Sequence, residues 1–468
     1  MPIQRVAGSF RDPSGFVFFR EGRVFRAVDE TCQGVLEGLA DSGRFDDLVA
    51  RRLIVDTQFV KLGELLDELR DDCPGVDHFL EHEVIPTITY PYEWSVSMLA
   101  DAGIHTIDLQ LELLKDGCAL KDATAYNIQF VEGRPQMIDV ASIERPQRQD
   151  VWFAYGQFLQ MFLYPLLLNR YQHWDLHSDF LGKINGRDIE SVGRAFSWWQ
   201  KLRPGLFLDV TMPLWLHRWA EKGRRAQRET LEKPADNTRA QVLNLQRMRR
   251  KLRKLADSYR PSGVWTDYTN ICNYDGEAEL AKKGAVCKFL MQSNPRQVLD
   301  LGCNTGEYSR LAAECGAEVL AADADHDAIE MLYRGLKDRP ANITPVVLDL
   351  ANPSPAIGFM NLERPAFAQR AKADCVLALA LMHHLLVSAN MPLAGVCDLL
   401  HSLTERDLVL EFVPPEDEMF QRLMKFRVDL FQDLTLAQCK AAFAKRFEIR
   451  EEVAIANSQR TLLFMRKV

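Results

Sequence analysis

In the second half of the chain, short apolar runs recur at intervals long enough to hold a helix between them. Gln297 to Leu301, Ala317 to Asp323, Ile343 to Leu348, Cys375 to Leu381 and Leu408 to Val413 each read as a strand, and helical periodicity follows the first two through Ala313 and Leu336. Phe447 to Ala456 and Arg460 to Met465 read as a closing antiparallel pair. Strands and helices in this alternation predict a doubly wound α/β sheet.

The first half follows another rhythm. Phe16 to Phe19 and Val24 to Val28 flank Glu21-Gly22, a β-hairpin signal because glycine supplies the positive φ of a tight turn. A small mixed α/β segment runs on to about Leu120. From Trp152 to about Trp219 the pattern turns helical and rich in aromatics, with Phe158, Met161, Phe162, Leu166 and Leu167 spaced for buried helix faces. Between Glu221 and Arg260 the composition becomes basic, and Val242, Leu245, Met248, Leu252 and Leu255 form one helical stripe. The expected organisation is residues 1–220 as one α+β domain, 221–261 as a basic helical linker and 262–468 as the α/β domain. The basic cluster Arg247, Arg249, Arg250, Lys251, Arg253 and Lys254 reads as a solvated helix face.

Composition narrows the picture. With 468 residues, 47% hydrophobic and 26% charged, the chain is long enough for two or three globular domains. A net charge of -8 gives no global attraction to a phosphate backbone, so nucleic acid is not an expected partner. The ten cysteines are scattered without a CxxC pair, as buried thiols in a reducing compartment would be. The N-terminus lacks an apolar signal region, and the run Met161 to Leu168 is too short to span a bilayer, so a cytoplasmic protein is expected. Oligomeric state is not legible.

Candidate chemistry concentrates at strand ends. Val298 to Gly306, VLDLGCNTG, is an apolar strand ending in a Gly-x-x-x-Gly turn that opens a helix, the place where open α/β sheets bind ligands. It is neither GxGxxG nor a Gly-Lys-Ser/Thr phosphate loop, so a pyrophosphate or triphosphate ligand is not indicated. Asp300 and Asn304 sit in this motif with Gly302 and Gly306, Asp323 closes the second strand, and Asp349 follows the third. S-adenosylmethionine (SAM) offers an ammonium group, two ribose hydroxyls and an adenine amino group, all donors that carboxylates accept. Asp300 suits the amino end, Asp323 the ribose hydroxyls and Asp349 the adenine amino group.

These motifs, with AADAD at Ala321 to Asp325, LDLANPSP after the third strand, ALALMHHL at Ala378 to Leu385 and LEFVPPED at Leu410 to Asp417, resemble those of class I SAM-dependent methyltransferases from about Val264 onward. The resemblance implies a Rossmann-like methyltransferase sheet with SAM as cofactor. Over its full length the chain also resembles a bacterial family related to host-specificity nodulation proteins, in which phrases like DPSGFVF and LKDATAYN precede the methyltransferase. Methyl transfer from a sulfonium is an in-line displacement in which the protein positions the nucleophile. His383 and His384, just past the fourth strand, are the candidate catalytic bases. Trp265, Asp267, Tyr268 and Tyr274 are candidates for an aromatic lid.

Leu120 to Asn127, LKDATAYN, keeps the Asp-x-x-x-x-Asn spacing of a kinase catalytic loop, and Asp139 follows twelve residues after Asn127. The segment resembles a protein-kinase or aminoglycoside-phosphotransferase C-lobe, which implies Asp122 as catalytic residue, Asn127 and Asp139 as Mg²⁺ ligands, and Mg²⁺ with ATP at this domain. The glycine loop and the strand lysine of that pattern are missing, and Arg26 stands on a predicted strand instead.

The expected function is methyl transfer from SAM to a small-molecule or saccharide acceptor. A bifunctional kinase and methyltransferase, or a non-catalytic SAM-binding regulator, are the alternatives. The absence of an Asn-Pro-Pro-Tyr type motif after the fourth strand argues against DNA bases as acceptors.

Overall fold

The computed structural model describes all residues except 1–2, 13, 62, 223–237, 263–275 and 425–433. Two sheets dominate it. In the first half, β1 (Gln4–Arg5), β2 (Gly15–Arg20), β3 (Arg23–Val28), β4 (Thr57–Phe59) and β5 (His78–His82) form an antiparallel sheet in the order β1-β2-β3-β5-β4. The expected hairpin is present, and its turn places Glu21 and Gly22 at φ 53° and 78°, the left-handed pair that a tight turn between twisted strands requires.

Beyond this sheet the 96–113 helix (Val96–Leu113) is buried along most of its length. Two short antiparallel pairs follow it, β6 (Ala119–Leu120) with β9 (Ile143–Glu144), and β7 (Ile128–Val131) with β8 (Arg134–Met137). The aromatic-rich stretch is helical as its periodicity predicts, and Phe158, Met161, Phe162, Leu166 and Leu167 are buried.

The expected linker takes a different role. Its second part is a helix, Thr238–Ser258, whose Leu245, Met248, Leu252 and Leu255 are buried in the first-half core beside the 96–113 helix. Its basic residues are partly paired: Arg247 with Asp209 at 2.6 Å, Arg249 with Asp108 at 2.6 Å, and Lys251 with the Gly205 carbonyl at 2.8 Å. Arg250, Arg253 and Lys254 remain exposed. An apolar stripe next to an unsatisfied core packs, whatever the charge of its other face.

In the second half, β10 (Gln297–Leu301), β11 (Glu318–Asp323), β12 (Ile343–Val347), β13 (Ala373–Ala378), β14 (Thr404–Phe412), β15 (Phe447–Ala454) and β16 (Thr461–Lys467) form a seven-stranded sheet in the order β12-β11-β10-β13-β14-β16-β15. The pairings from β12 to β14 are parallel, and β16 enters antiparallel beside β14 and β15. The chain reverses direction of travel across the sheet between β10 and β13, so the C-terminal ends of these strands bound a crevice. The fourth parallel strand stops at Ala378 and not at Leu381, because Ala380 turns into φ 49° and the chain then enters the helix Met382–Val387.

The halves meet through the helix His326–Asp338, which packs on the 96–113 helix. Tyr333 is buried in the first-half core, edge-on to Phe130 at 5.6 Å, and its hydroxyl donates to Asp101 at 2.8 Å. Glu330 is fully buried and accepts from the Ser97 backbone N–H at 2.9 Å and the Ser97 hydroxyl at 2.5 Å, while Arg334 pairs with it from the next turn at 2.7 Å. Among the described residues, no helix is long and apolar enough to cross a membrane.

Candidate cofactor and acceptor site

The turn after β10 is built by its glycines. Gly302 has φ 71°, and the Gly302 and Cys303 N–H groups donate to the Ala322 carbonyl at 2.8 and 3.1 Å, which ties the turn to the end of β11. Gly306, at φ 84°, is the N-cap of the helix Glu307–Glu314, and a Cβ there would stand 2.5 Å from the Leu332 side chain. Both positions need the left-handed backbone that glycine adopts without strain.

At the C-terminal ends of β10 to β13 lies a cavity of about 660 Å³, lined by Asp300, Gly302, Asn304, Asp323, Asp349 and His384 among others. Five of the six residues expected to bind cofactor therefore converge on one space. Gly306 is not among the lining residues; its part is to let the helix start close against Leu332.

The carboxylates are held by identifiable bonds. Asp323 accepts from the Asn304 N–H at 2.8 Å on one oxygen and from the Asp325 N–H at 2.8 Å on the other. Asp300 is 2% exposed and accepts from the Ser309 hydroxyl at 2.6 Å. Burial, with the Asp323 charge nearby, pushes the Asp300 carboxyl up to about 6, against the opposing pull of Ser309 and Lys282. Asp323 is also raised, chiefly by burial. Asp349 is exposed and accepts from the Ala351 N–H at 2.8 Å, closing an Asx turn at the cavity edge.

Several lining residues escape the sequence reading. Glu279 and Lys282 come from the helix Gly276–Ser293, Glu307 and Tyr308 from the helix after the glycine turn, and Asp325 from the end of β11. Lys282 pairs with the buried Glu411 of β14 at 2.6 Å and lies 4.8 Å from the Tyr308 ring centre. A glutamate inside the apolar strand LVLEF was the legible sign that a buried cation would meet it. Among the described residues the lining holds six carboxylates, Glu279, Asp300, Glu307, Asp323, Asp325 and Asp349, against one ammonium, Lys282, while Lys283 outside the lining pairs with Glu279 and Glu307. Such a balance fits a cationic ligand, and with the apolar wall of Leu348, Leu350, Leu379, Leu381, Leu385 and Leu423 it fits SAM in both charge and chemistry.

The two histidines part company. His384 lines the cavity, and burial, with Arg460 adding to it, lowers it to about 4. His383 is 1% exposed, is not among the lining residues, and packs with its ring 5.8 Å from Phe420 and 4.4 Å from His384. Of the two candidate bases His384 alone lines this cavity, because adjacent residues at a helix start point to different sides. Trp265, Asp267, Tyr268 and Tyr274 lie outside the described residues.

In the first half the structure brings Asn127 and Asp139 together, with the Asn127 amide donating to Asp139 at 3.1 Å. The other Asp139 oxygen accepts from Arg26 of β3 at 2.5 Å, and Arg26 also reaches Asp12 at 3.3 Å. Lys121 donates to Asp12 at 3.2 Å and Ser14 at 3.0 Å. Asp122 is close enough to Asp139 for their charges to interact, and it is raised mainly by burial. Among the described residues no group of three or more His, Cys, Asp or Glu side chains is arranged to hold a metal. The expected Mg²⁺ ligands Asn127 and Asp139 thus meet, with the Asn127 amide on one Asp139 oxygen and the Arg26 guanidinium on the other.

The strand order and the acidic, glycine-lined crevice define the class of protein: a SAM-dependent methyltransferase. The chain belongs to the family of nodulation protein NoeA. It is 33% identical to that protein from Rhizobium meliloti (strain 1021) over 467 residues, 98% of this chain and 95% of the relative. A stretch of 77 residues, 16% of this chain, is 39% identical to 31% of a cypemycin N-terminal methyltransferase from Streptomyces sp. Among solved structures, magnesium protoporphyrin IX methyltransferase from Synechocystis PCC 6803 is similar at 18% identity, covering 41% of this chain and 85% of that one with a TM-score of 0.31. No family model matches the chain.

Proposed function

We propose that the protein transfers the methyl group of SAM to a small-molecule or saccharide acceptor entering beside His384, in the cytoplasm. The observation that carries this reading is the convergence of Asp300, Asn304, Asp323, Asp349 and His384 on one cavity. Asp323 accepts both ribose hydroxyls, Asp300 and Asn304 hold the amino-acid end, Asp349 takes the adenine amino group, and the leucine wall excludes water. SAM itself supplies an electrophilic methyl group on a positive sulfur. His384 is neutral at pH 7, and with basicity as low as about 4 it orients a nucleophile by accepting a hydrogen bond more readily than it deprotonates a hydroxyl. The free state of the nine described cysteines supports the compartment.

Two measurements test this reading. Asp323→Ala removes charge-assisted hydrogen bonds worth about 1.5 to 3 kcal/mol, so S-adenosylhomocysteine should bind roughly 10- to 100-fold more weakly by calorimetry. With labelled SAM and fractionated cell extract, label should enter a low-mass metabolite or saccharide fraction. Label found only in protein or nucleic acid would reject the acceptor class.

The Arg26, Asn127 and Asp139 contacts favour a second statement, about the first half alone. We read it as a kinase-like domain retained as a scaffold that presents the acceptor, with 262–468 as the transferase domain. Asn127 beside Asp139 supports the kinase-like ancestry, and Arg26 bonded to Asp139 weighs against Mg²⁺ and ATP and so against the bifunctional alternative.

A further inference from the structure

We propose that an aromatic and basic face of the first half, carried by the helices Trp198–Lys201, Met212–Lys222 and Thr238–Ser258, docks on the surface of an anionic lipid bilayer. Trp198, Trp199, Phe207, Leu208, Trp215 and Trp219 are each between 44% and 67% exposed. Four of the chain's eight tryptophans are thus in water on one stretch of sequence. Trp198 and Trp199 stack with ring centres 3.5 Å apart, while Trp215 and Trp219 lie four residues apart on one side of their helix. The Thr211 hydroxyl donates to the Lys201 carbonyl at 2.8 Å, which fastens the two aromatic helices side by side. Scattered exposed apolar residues need no explanation, but a contiguous aromatic group of this size marks an interaction surface.

Charge selects the occupant. Within residues 198–219 the basic side chains are Lys201, Arg203 and Arg218, the last paired with Glu190 at 2.9 Å, and the sole acidic one, Asp209, is 4% exposed between Arg247 at 2.6 Å and Lys251 at 3.2 Å. Those two contacts also bring the 238–258 helix alongside Phe207 and Leu208, and its Arg250 and Lys254 are exposed. On a chain of net charge -8, this is a local positive fringe around tryptophans. A protein partner would be expected to meet a face depleted in lysine. Tryptophan with flanking Lys and Arg instead matches the headgroup level of an anionic membrane, where a helix lies in the interface plane without spanning it.

The full-length protein should float with vesicles of phosphatidylglycerol and phosphatidylcholine and not with phosphatidylcholine alone, and its tryptophan emission should shift to the blue on binding. Trp215→Ala with Trp219→Ala, and separately Arg250→Glu with Lys254→Glu, should each lower vesicle partition roughly tenfold or more. Binding of S-adenosylhomocysteine should be unchanged in both, which shows that the variants are folded. Absence of wild-type flotation with anionic vesicles, or equal flotation of wild type and both variants, would overturn the proposal. So would a concentration-dependent dimer that the tryptophan substitutions dissolve in a protein that does not bind vesicles, since the face would then join two copies of the chain.

Discussion

On the proposed reading, in which Asp300 holds the amino end of the ligand, its elevated carboxyl makes ligand affinity depend on pH. In the ligand-free protein Asp300 titrates at about 6, because burial penalises its charged form more than Ser309 and Lys282 assist it. If the ligand ammonium binds only beside the ionised form, affinity follows the ionised fraction, which is about 0.9 at pH 7 and about 0.1 at pH 5. S-adenosylhomocysteine should therefore bind roughly tenfold more weakly at pH 5 than at pH 7, a difference of about 1.4 kcal/mol. Asp323 is raised as well, chiefly by burial. The same shift has a consequence for stability with the opposite direction. A carboxyl whose folded pKa lies above its unfolded value makes the native state hold the extra proton, so stability contributed below the unfolded pKa, near 4, is lost as pH rises to about 6. An elevation from near 4 to about 6 corresponds to about 3 kcal/mol. Asp300→Asn, which stays neutral, should flatten both profiles and raise the stability of the ligand-free protein at pH 7 relative to wild type. Calorimetry from pH 5 to 7 and urea unfolding over the same range supply the two readouts. Affinity flat within twofold, or an Asp300→Asn variant that retains the wild-type slope, would refute the reasoning.

Further outcomes follow from the first half and its contact with the second. Tyr333→Ala removes a fully buried ring from the core shared between the halves and should destabilise the full chain by about 3 to 5 kcal/mol in chemical unfolding; a loss below about 1 kcal/mol would mean the helix His326–Asp338 is not integral to that core. Mg²⁺ with ATP should leave the melting temperature unchanged, because Arg26 already neutralises Asp139, and a clear rise that Asp139→Ala abolishes would restore the phosphotransferase reading.

The sequence by itself determined the α/β half and grouped much of the lining of its candidate site. Strands that are apolar throughout, each ending in a turn residue, leave little freedom in where they stop, and in a parallel sheet all those ends lie on one edge. Asp300, Asn304, Asp323 and Asp349 could therefore be grouped before any geometry was known, and the hairpin around Glu21-Gly22 was legible for the similar reason that only a few residues tolerate its backbone. What adjoins the site from a distance was not legible. Glu279 and Lys282 reach the cavity from a helix that precedes β10 in sequence, and no local period records that Lys282 will meet Glu411 across the sheet. The choice between His383 and His384 rested on which side of one helical turn faces the cavity, a rotation that adjacent identical residues cannot encode. Arg26 and Asp139, 113 residues apart, became partners only once β3 was laid over the loop after β8. The 238–258 helix shows the same limit: its apolar stripe announced that it would bury one face, but only the tertiary structure, by placing the 96–113 helix beside it, decided which core would receive that face. Local periodicity and turn chemistry act within a few residues and so can be read from the sequence, whereas desolvation and charge pairing depend on neighbours that the folded chain alone supplies.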